Sequence, residues 1–471
     1  MYKFYSISII LISAIFFQKE VVCNIINIPA EETTIQAGID ISLNGDTVLV
    51  SPGEYFENIN LHGKNILLTS YYYASGNYSD IENTIINGSS PVNLDTASVI
   101  LIISGENENC IIQGFTITGG AGTRWLDEHG AGTYREGGGI LMQYSSPVIR
   151  YNYIIDNHVT NETGVLSTGG GAIRCGDSDP VISNNFISNN EALGYGGGLV
   201  FNYCDLAIVR NNIIAFNSGG NDYGGGGIWA TGASPLQHVD IINNTIANNI
   251  ASGSGAYGGK GGGIFVFTVT INVLNCIVWG NTQFTGNAIH SAGGIITVNY
   301  SDVQNDMTGI GNLNTDPLFL DTLLCYLTDT VSPCVDAGNP DVLYHDPENE
   351  LIPGNAAYPS LGTITNDMGV NGGNFRKLLG YCPEIVPGTS ISVQLSEDII
   401  IYPNPAGNEI NINTNGKYYL NIYHIGGRIM YSNNSGIDQL TISVKGWLPG
   451  IYNYQILKEN GSITSGKFVI D

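Results

Sequence analysis

Residues 148–157 read VIRYNYIIDN, and residues 181–190 read VISNNFISNN. The phrase returns as IVRNNIIAFN at 208–217, DIINNTIANN at 240–249 and NVLNCIVWGN at 272–281. In each copy the second and seventh positions are aliphatic. The fifth and tenth are Asn, with Cys276 in place of Asn in the last copy. Ile112 and Ile117 open the series, and Val298, Ser301, Val303 and Asp306 form a degenerate close. A second element alternates with the first. It reads Gly137-Gly138-Gly139-Ile140, Gly169-Gly170-Gly171, Gly196-Gly197-Gly198-Leu199, Gly225-Gly226-Gly227-Ile228, Gly261-Gly262-Gly263-Ile264 and Gly293-Gly294-Ile295.

The spacing of 25–37 residues marks a repeat architecture. No stretch carries 3.6-residue periodicity long enough for a helix pair, which excludes helical repeats. Each unit holds short Val/Ile-rich runs cut by Gly and Asn, the pattern of short strands and turns. One unit cannot bury its own apolar face. Stacking units about 4.8 Å apart closes a shared core. Asn152, Asn185, Asn212 and Asn244 then form one column, and Asn157, Asn190, Asn217, Asn249 and Asn281 another. A stacked Asn amide can donate to one neighbouring coil and accept from the other, and Asn tolerates left-handed turn geometry. These Asn are expected to be architectural.

Composition agrees. The 471 residues include 62 Gly and 52 Asn, with 43% hydrophobic and only 12% charged residues. Gly and Asn are poor helix formers, which excludes an ordinary helical enzyme. The hydrophobic content excludes generic disorder. Lys+Arg 16 against Asp+Glu 41, a net charge of −25, excludes a nucleic-acid partner. Lys3 and the apolar run Ile7–Phe17 read as an export signal ending near Cys23. Val21-Val22 stands where a lipidated Cys would need a small residue. No later apolar run reaches membrane-span length, so no transmembrane helix is expected in the mature chain. Export permits disulfides, yet the cysteines beyond the signal are odd in number and scattered, without zinc spacing.

Over Ile26–Asn305 the repeats resemble the right-handed parallel β-helix proteins of the pectin-lyase-like superfamily. The entrance, Thr34-Ile35-Gln36-Ala37-Gly38-Ile39 followed by Gly45–Tyr55 with Pro52-Gly53, is similar to that family's. The resemblance implies a short helix capping the open end of the stack. Asp316-Pro317-Leu318-Phe319, Ser332–Gly338 and Asp367–Gly373 resemble the closing module that follows many exported bacterial β-helices. It implies a cap on the C-terminal end, within which Cys325 and Cys334 are candidates to pair.

After a Pro387-Gly388 linker, about seven alternating runs from Ile399 onward suggest an antiparallel Ig-like sandwich. Tyr402-Pro403-Asn404-Pro405, Ile422–Arg428, Leu448–Tyr452 and Lys467–Ile470 resemble the type A sorting domain of the type IX secretion system. The resemblance implies a Bacteroidetes-type outer membrane and the type IX secretion machinery as partner of residues 399–471. It also implies a secreted or surface-attached product that has passed through the periplasm. The expected fold is all-β, a right-handed parallel β-helix followed by a small antiparallel β-sandwich. The expected divisions are a signal at 1–23, the β-helix with its cap at 24–313, the closing module at 314–382, a linker at 383–398 and the sorting domain at 399–471.

Loops of variable length follow the second Asn column: Ala121–Glu136, His158–Thr168, Glu191–Tyr195, Ser218–Gly224 and Ile250–Lys260. Stacking sets them side by side. Trp125, Tyr134, Tyr195, Tyr223 and Tyr257 then form a row suited to sugar rings, or else a stack that closes a corner of the solenoid. The loop Ala121–Glu136 is dense in charge for so charge-poor a chain. A lyase would draw a base from Arg135 or His129. A hydrolase would need paired carboxylates about 5–9.5 Å apart, here Asp127 with Glu136. The alternative is a solvated loop. Asp177, Asp179 and Asp205, on corresponding turns beside Cys175 and Cys204, would suit Ca²⁺, or else cap Asx turns. Cys175 and Cys204 are expected to be buried.

The paired-Asp and Arg-x-Lys patterns of polygalacturonases and the Arg-x-Pro-x-x-Arg of pectate lyases do not occur. The expectation is therefore an exported surface protein that binds polysaccharide and, as an enzyme, cleaves it as a lyase or glycoside hydrolase. The alternative is a non-enzymatic structural or adhesin-type surface protein.

Overall fold

The computed structural model describes residues 23–305, 307–319 and 331–374, together with the strands of a C-terminal unit between 400 and 470. The expected signal segment before Cys23, the linker, Cys325 and Cys382 lie outside the described residues. The chain divides into two compact units, residues 1–385 and 386–471.

In the first unit the chain winds through short strands that pair in parallel with their counterparts in neighbouring coils. Among the described residues they form three long sheets of ten, nine and eight strands. One coil runs through Ile140–Gln143 in the third sheet, Val148–Arg150 in the first and Tyr153–Ile155 in the second. The next coil repeats it with Ile173–Gly176, Val181–Ser183 and Phe186–Ser188. This is a parallel β-helix.

The register is the one the repeat dictates. In the first sheet Ile112, Ile149, Ile182, Val209, Ile241, Val273 and Val298 lie on one another. In the second, Ile117, Ile154, Ile187, Ile214, Ile246, Val278 and Val303 do the same. Both columns belong to one continuous core. Each aliphatic side chain sits between copies of itself, so the apolar area that no single coil could bury is removed from water.

The two Asn columns are buried ladders. Asn185 Oδ1 accepts from the backbone N–H of Asn152 at 3.0 Å and from its Nδ2 at 3.2 Å. Asn185 Nδ2 donates to Ile149 O and to Asn212 Oδ1, at 2.9 and 3.0 Å. The second column repeats the pattern from Asn157 to Asn281. Left-handed backbone belongs to a different residue. Asn184, Asn211, Asn243 and Asn275 have φ of 51–55°, and each precedes the ladder residue. The Asn-Asn doublets thus divide the work, the first turning the chain and the second bonding between coils.

The Gly runs have a matching cause. Gly196 has φ +55°, and a Cβ on Gly197 would stand under 3.0 Å from the backbone carbonyl of Ser218 in the next coil. Coil backbones approach too closely at this corner for any side chain.

The helix Ile35–Ile41 is N-capped by Thr34, whose side chain accepts from Ala37 N. Ile35 and Ile39 join the core beside Ile28 and Val48, so the helix covers the first coil. The closing segment reaches the last coil, where Cys334 Sγ lies 3.3 Å from Asp302 Oδ2. It then runs along the flank rather than staying over the end. Asn211 Nδ2 donates to Val370 O and Gly372 O, Asn243 Nδ2 to Asp367 O, and Asn275 Oδ1 accepts from Asn339 N. The turning Asn of three successive coils point outward with free amides, and the segment satisfies them.

In the second unit the described strands form two antiparallel sheets. One comprises Ile400–Tyr402, Glu409–Asn413 and Gln439–Ser443. The other comprises Tyr418–His424, Ile429–Ser435, Gly450–Lys458 and Ile463–Ile470. Ile410, Ile412 and Ile442 of the first share a core with Leu420, Ile422, Tyr452 and Ile470 of the second. That is a small sandwich.

Candidate functional site on the outer face of the third sheet

Strand alternation sends Ile140, Ile173, Leu199, Ile228 and Ile264 into the core. It sends Leu141, Arg174, Val200, Trp229 and Phe265 outward, in register with one another. Yet this outer row is buried, at 0–8% exposure. Over Arg174 and Tyr195 the cover is the segment expected as a loop. Gly122–Leu126 and Thr133–Glu136 form an antiparallel hairpin instead, pairing Thr123 with Glu136 and Trp125 with Tyr134. Alternating Thr and aromatic residues favour a strand, and Gly130-Ala131-Gly132 allows the turn.

The hairpin explains why Arg135 and Glu136 part company. Neighbours on a strand face opposite sides. Glu136 turns toward the third sheet. Arg135 turns away, donating to Leu94 O and Gly122 O and pairing with Glu162 at 2.8 Å. Arg135 is a clamp between loops and does not line the cavity, which removes it from the candidate bases. Arg124, opposite it, shares the same Glu162 carboxylate.

Beneath the hairpin lies a cavity of about 380 Å³. Its lining includes Asp127, His129, Tyr134, Glu136, Tyr195, Asn202, Tyr203, Tyr223, Trp229, Thr231 and Phe267. At its inner edge the Arg174 guanidinium is fully buried. Its Nε lies 3.1 Å from Glu136 Oε2, an ion pair rather than an aligned hydrogen bond. Its NH2 lies 3.2 Å from Glu128 Oε1, and Gln143 Oε1 also receives the guanidinium. The Tyr195 hydroxyl donates to Glu136 Oε1 at 2.6 Å. Burial pushes the Glu136 carboxyl up, against the pull of Arg174 and Tyr195. Burial acts the same way on Glu128, but Arg174 and the Trp125 N–H outweigh it and hold Glu128 at about 2.

His129, at the hairpin tip, stacks on Tyr203 with ring centroids 3.6 Å apart, and its Nε2 lies 3.2 Å from both Asp177 oxygens. Burial and the neighbouring Glu128 raise the Asp177 carboxyl. Asp127 Oδ1 accepts from the N–H of His129 and of Ala131. Burial, then Tyr223 and Asp127, push Tyr134 up to about 12.

The aromatic row is assembled in part. Tyr134, Tyr195 and Tyr223 pack edge to face, and Trp229 lies against Tyr195. Tyr195 is 5% exposed and serves packing and the Glu136 bond rather than open contact. Tyr257 packs on Phe265 and Phe267 at the margin. Trp125 Nε1 donates to Glu128 and stands outside the cavity lining.

The three aspartates expected for calcium do not converge. Asp179 Oδ1 accepts from Leu206 N, and Asp205 Oδ1 from Gln237 Nε2, bonds that link neighbouring coils. Among the described residues, the His/Cys/Asp/Glu group whose donor atoms lie within 4.8 Å of one another is Glu128, His129 and Asp177. Arg174 beside Glu128 disfavours a second cation there. Cys175 and Cys204 are buried thiols.

Arg174 is the central residue the motif reading missed. The signal was present: an Arg at the position after the Gly run where the other copies carry Leu141, Val200, Trp229 and Phe265, in a chain with only 16 Lys+Arg.

Comparison with known proteins bears on both units. Residues 400–471 match the family described as Secretion system C-terminal sorting domain. Residues 32–224 match the family described as Protein of unknown function (DUF1565). No curated protein matches. Among solved structures, one similar chain is titled as PorZ, an essential bacterial surface component of the type-IX secretion system of Porphyromonas gingivalis. It aligns at 17% identity over 16% of this chain and 11% of that one, with a TM-score of 0.15. Among the described residues no helix is long and apolar enough to cross a membrane. The chain is a parallel β-helix carrying a C-terminal sorting domain that directs it out of the cell by type IX secretion.

Proposed function

We propose that the protein binds saccharide in the cavity under the hairpin, outside the cell. The observation that carries the reading is the lining itself. Tyr134, Tyr223, Trp229 and Phe267 supply ring faces beside Asp127, His129, Asn202 and Thr231. Rigid aromatic faces with a few polar groups are what a sugar ring needs.

Cleavage is a second reading, favoured by Asp127 and Glu136 lining one cavity and by the burial that raises Glu136. Two carboxyl groups on one cavity are what glycoside hydrolysis uses. Lyase action on uronates is less supported, because the one guanidinium at the site is held by Glu128 and Glu136.

The test is a polysaccharide array with a product-release assay on the full secreted chain. Binding without products supports a lectin-like role, and binding with products supports hydrolysis. Neither would leave the structural or adhesin role and overturn the proposal.

A further inference from the structure

The cavity has a charge as well as a shape. Asp127 and Glu136 line it, and Glu128 and Asp177 stand directly behind His129. The Arg174 guanidinium pairs with Glu128 and Glu136 and is shared between those two. Asp127 differs from the others. Its Oδ1 takes two loop N–H groups at 3.0 Å, and its Oδ2 has no protein donor among the described residues. Its charge nevertheless reaches Tyr134 and Tyr203 across the cavity. An unspent carboxylate oxygen thus shares one cavity with the rings of Tyr134, Tyr203, Tyr223, Trp229 and Phe267.

Carboxylate next to aromatic faces is the chemistry of ammonium recognition. The negative ring face and the carboxylate both favour a cation, and their contribution grows as water is excluded. An anionic uronate meets the opposite field. A neutral sugar would stack on the rings but leave Asp127 Oδ2 without a charged partner.

We infer that the ligand is a saccharide bearing a protonated amine, seated with its ammonium at Asp127 and its ring against Tyr223 and Trp229. This rests on the saccharide reading of the same cavity and names the class of sugar.

The test is isothermal titration of the full secreted chain with four tetrasaccharides: a β-1,4-glucosamine tetramer, its fully N-acetylated form, cellotetraose and tetragalacturonate, at a pH that keeps the amine protonated. The amine tetramer should bind at least tenfold tighter than the other three. Asp127→Asn, which keeps the loop-capping oxygen, should abolish that preference. Tyr223→Ala, which leaves the charge unchanged, should weaken amine binding about tenfold. Equal affinity for cellotetraose or the N-acetylated tetramer would overturn the ammonium inference and leave saccharide binding standing. Undiminished binding by Tyr223→Ala would trace the attraction to the general acidity of the chain and also overturn it. Failure of all four to bind would instead count against the saccharide reading.

Discussion

Arg174 Nε lies 3.1 Å from Glu136 Oε2, with side-chain exposures of 0% and 5%. Two ions so deeply placed are costly to separate, because removing one strands the other in a medium of low dielectric. Arg174→Met should therefore cost about 3–5 kcal/mol. Adding Glu136→Leu to Arg174→Met should recover part of that loss, since Glu128 still lacks its partner. Denaturant midpoints of the full chain will decide. A single variant as stable as the parent would show that the pair contributes little.

Glu128 makes stability depend on acid. Its carboxyl is held near 2 against an ordinary 4.5, chiefly by Arg174 working against burial. A carboxylate depressed in the folded state contributes stability in full above its unfolded value and loses it as pH falls toward the folded one. The stability gap between the parent and Glu128→Gln should be constant above about pH 5 and close between 4.5 and about 2. Melting curves across that range check it. A gap that widens with acid would contradict the assigned role.

The Asn ladder has one foreign rung. Asn244 N–H donates to Cys276 Sγ at 3.3 Å, while Cys276 Sγ approaches Ile241 O and Leu274 O, the acceptors an amide would use there. Cys276→Asn should restore the rung and stabilise by about 1 kcal/mol. In the opposite sense, Asn185→Ala strands the Asn152 N–H groups and Ile149 O, and should cost about 2–4 kcal/mol. Thermal unfolding of both variants gives the signs directly.

Deleting residues 399–471 should leave the protein in the periplasm. Cell fractionation and surface labelling of the deletion strain check this. Unchanged surface display would show that export does not depend on the sorting domain.

These predictions rest on features of unequal legibility. The strands of the sandwich were readable because their residues alternate, and the ladders and the aliphatic columns because stacking imposes the same residue at the same step of each coil. Gly197 was readable for the same reason, since contact with the next coil allows no side chain. Of the site, the repeat pointed to Asp127, His129, Tyr134, Glu136, Tyr195 and Tyr223, which line the cavity, but not to Arg174, because Arg174 breaks the repeat. Arg174 is one outward residue in a row otherwise filled by Leu141, Val200, Trp229 and Phe265. Its significance appears only when Glu128 and Glu136 arrive from the hairpin, 46 and 38 positions earlier in the chain. The Arg135–Glu136 separation likewise required knowing that the segment is a strand and not a loop. Asp177, Asp179 and Asp205 were grouped because Asp177 and Asp205 lie on corresponding turns, but of the three only Asp177 meets the hairpin tip.

The central claim is that the cavity under the hairpin is where saccharide binds. Tyr223 lines it, is 36% exposed and packs edge-on against buried Tyr195. Its loss should spare the fold while removing a wall. The most direct measurement is the affinity of the full secreted chain and of Tyr223→Ala for the best-bound glycan, with melting temperatures recorded alongside. Tyr223→Ala should lose at least tenfold in affinity at nearly unchanged melting temperature. Equal affinity in the two proteins would contradict it.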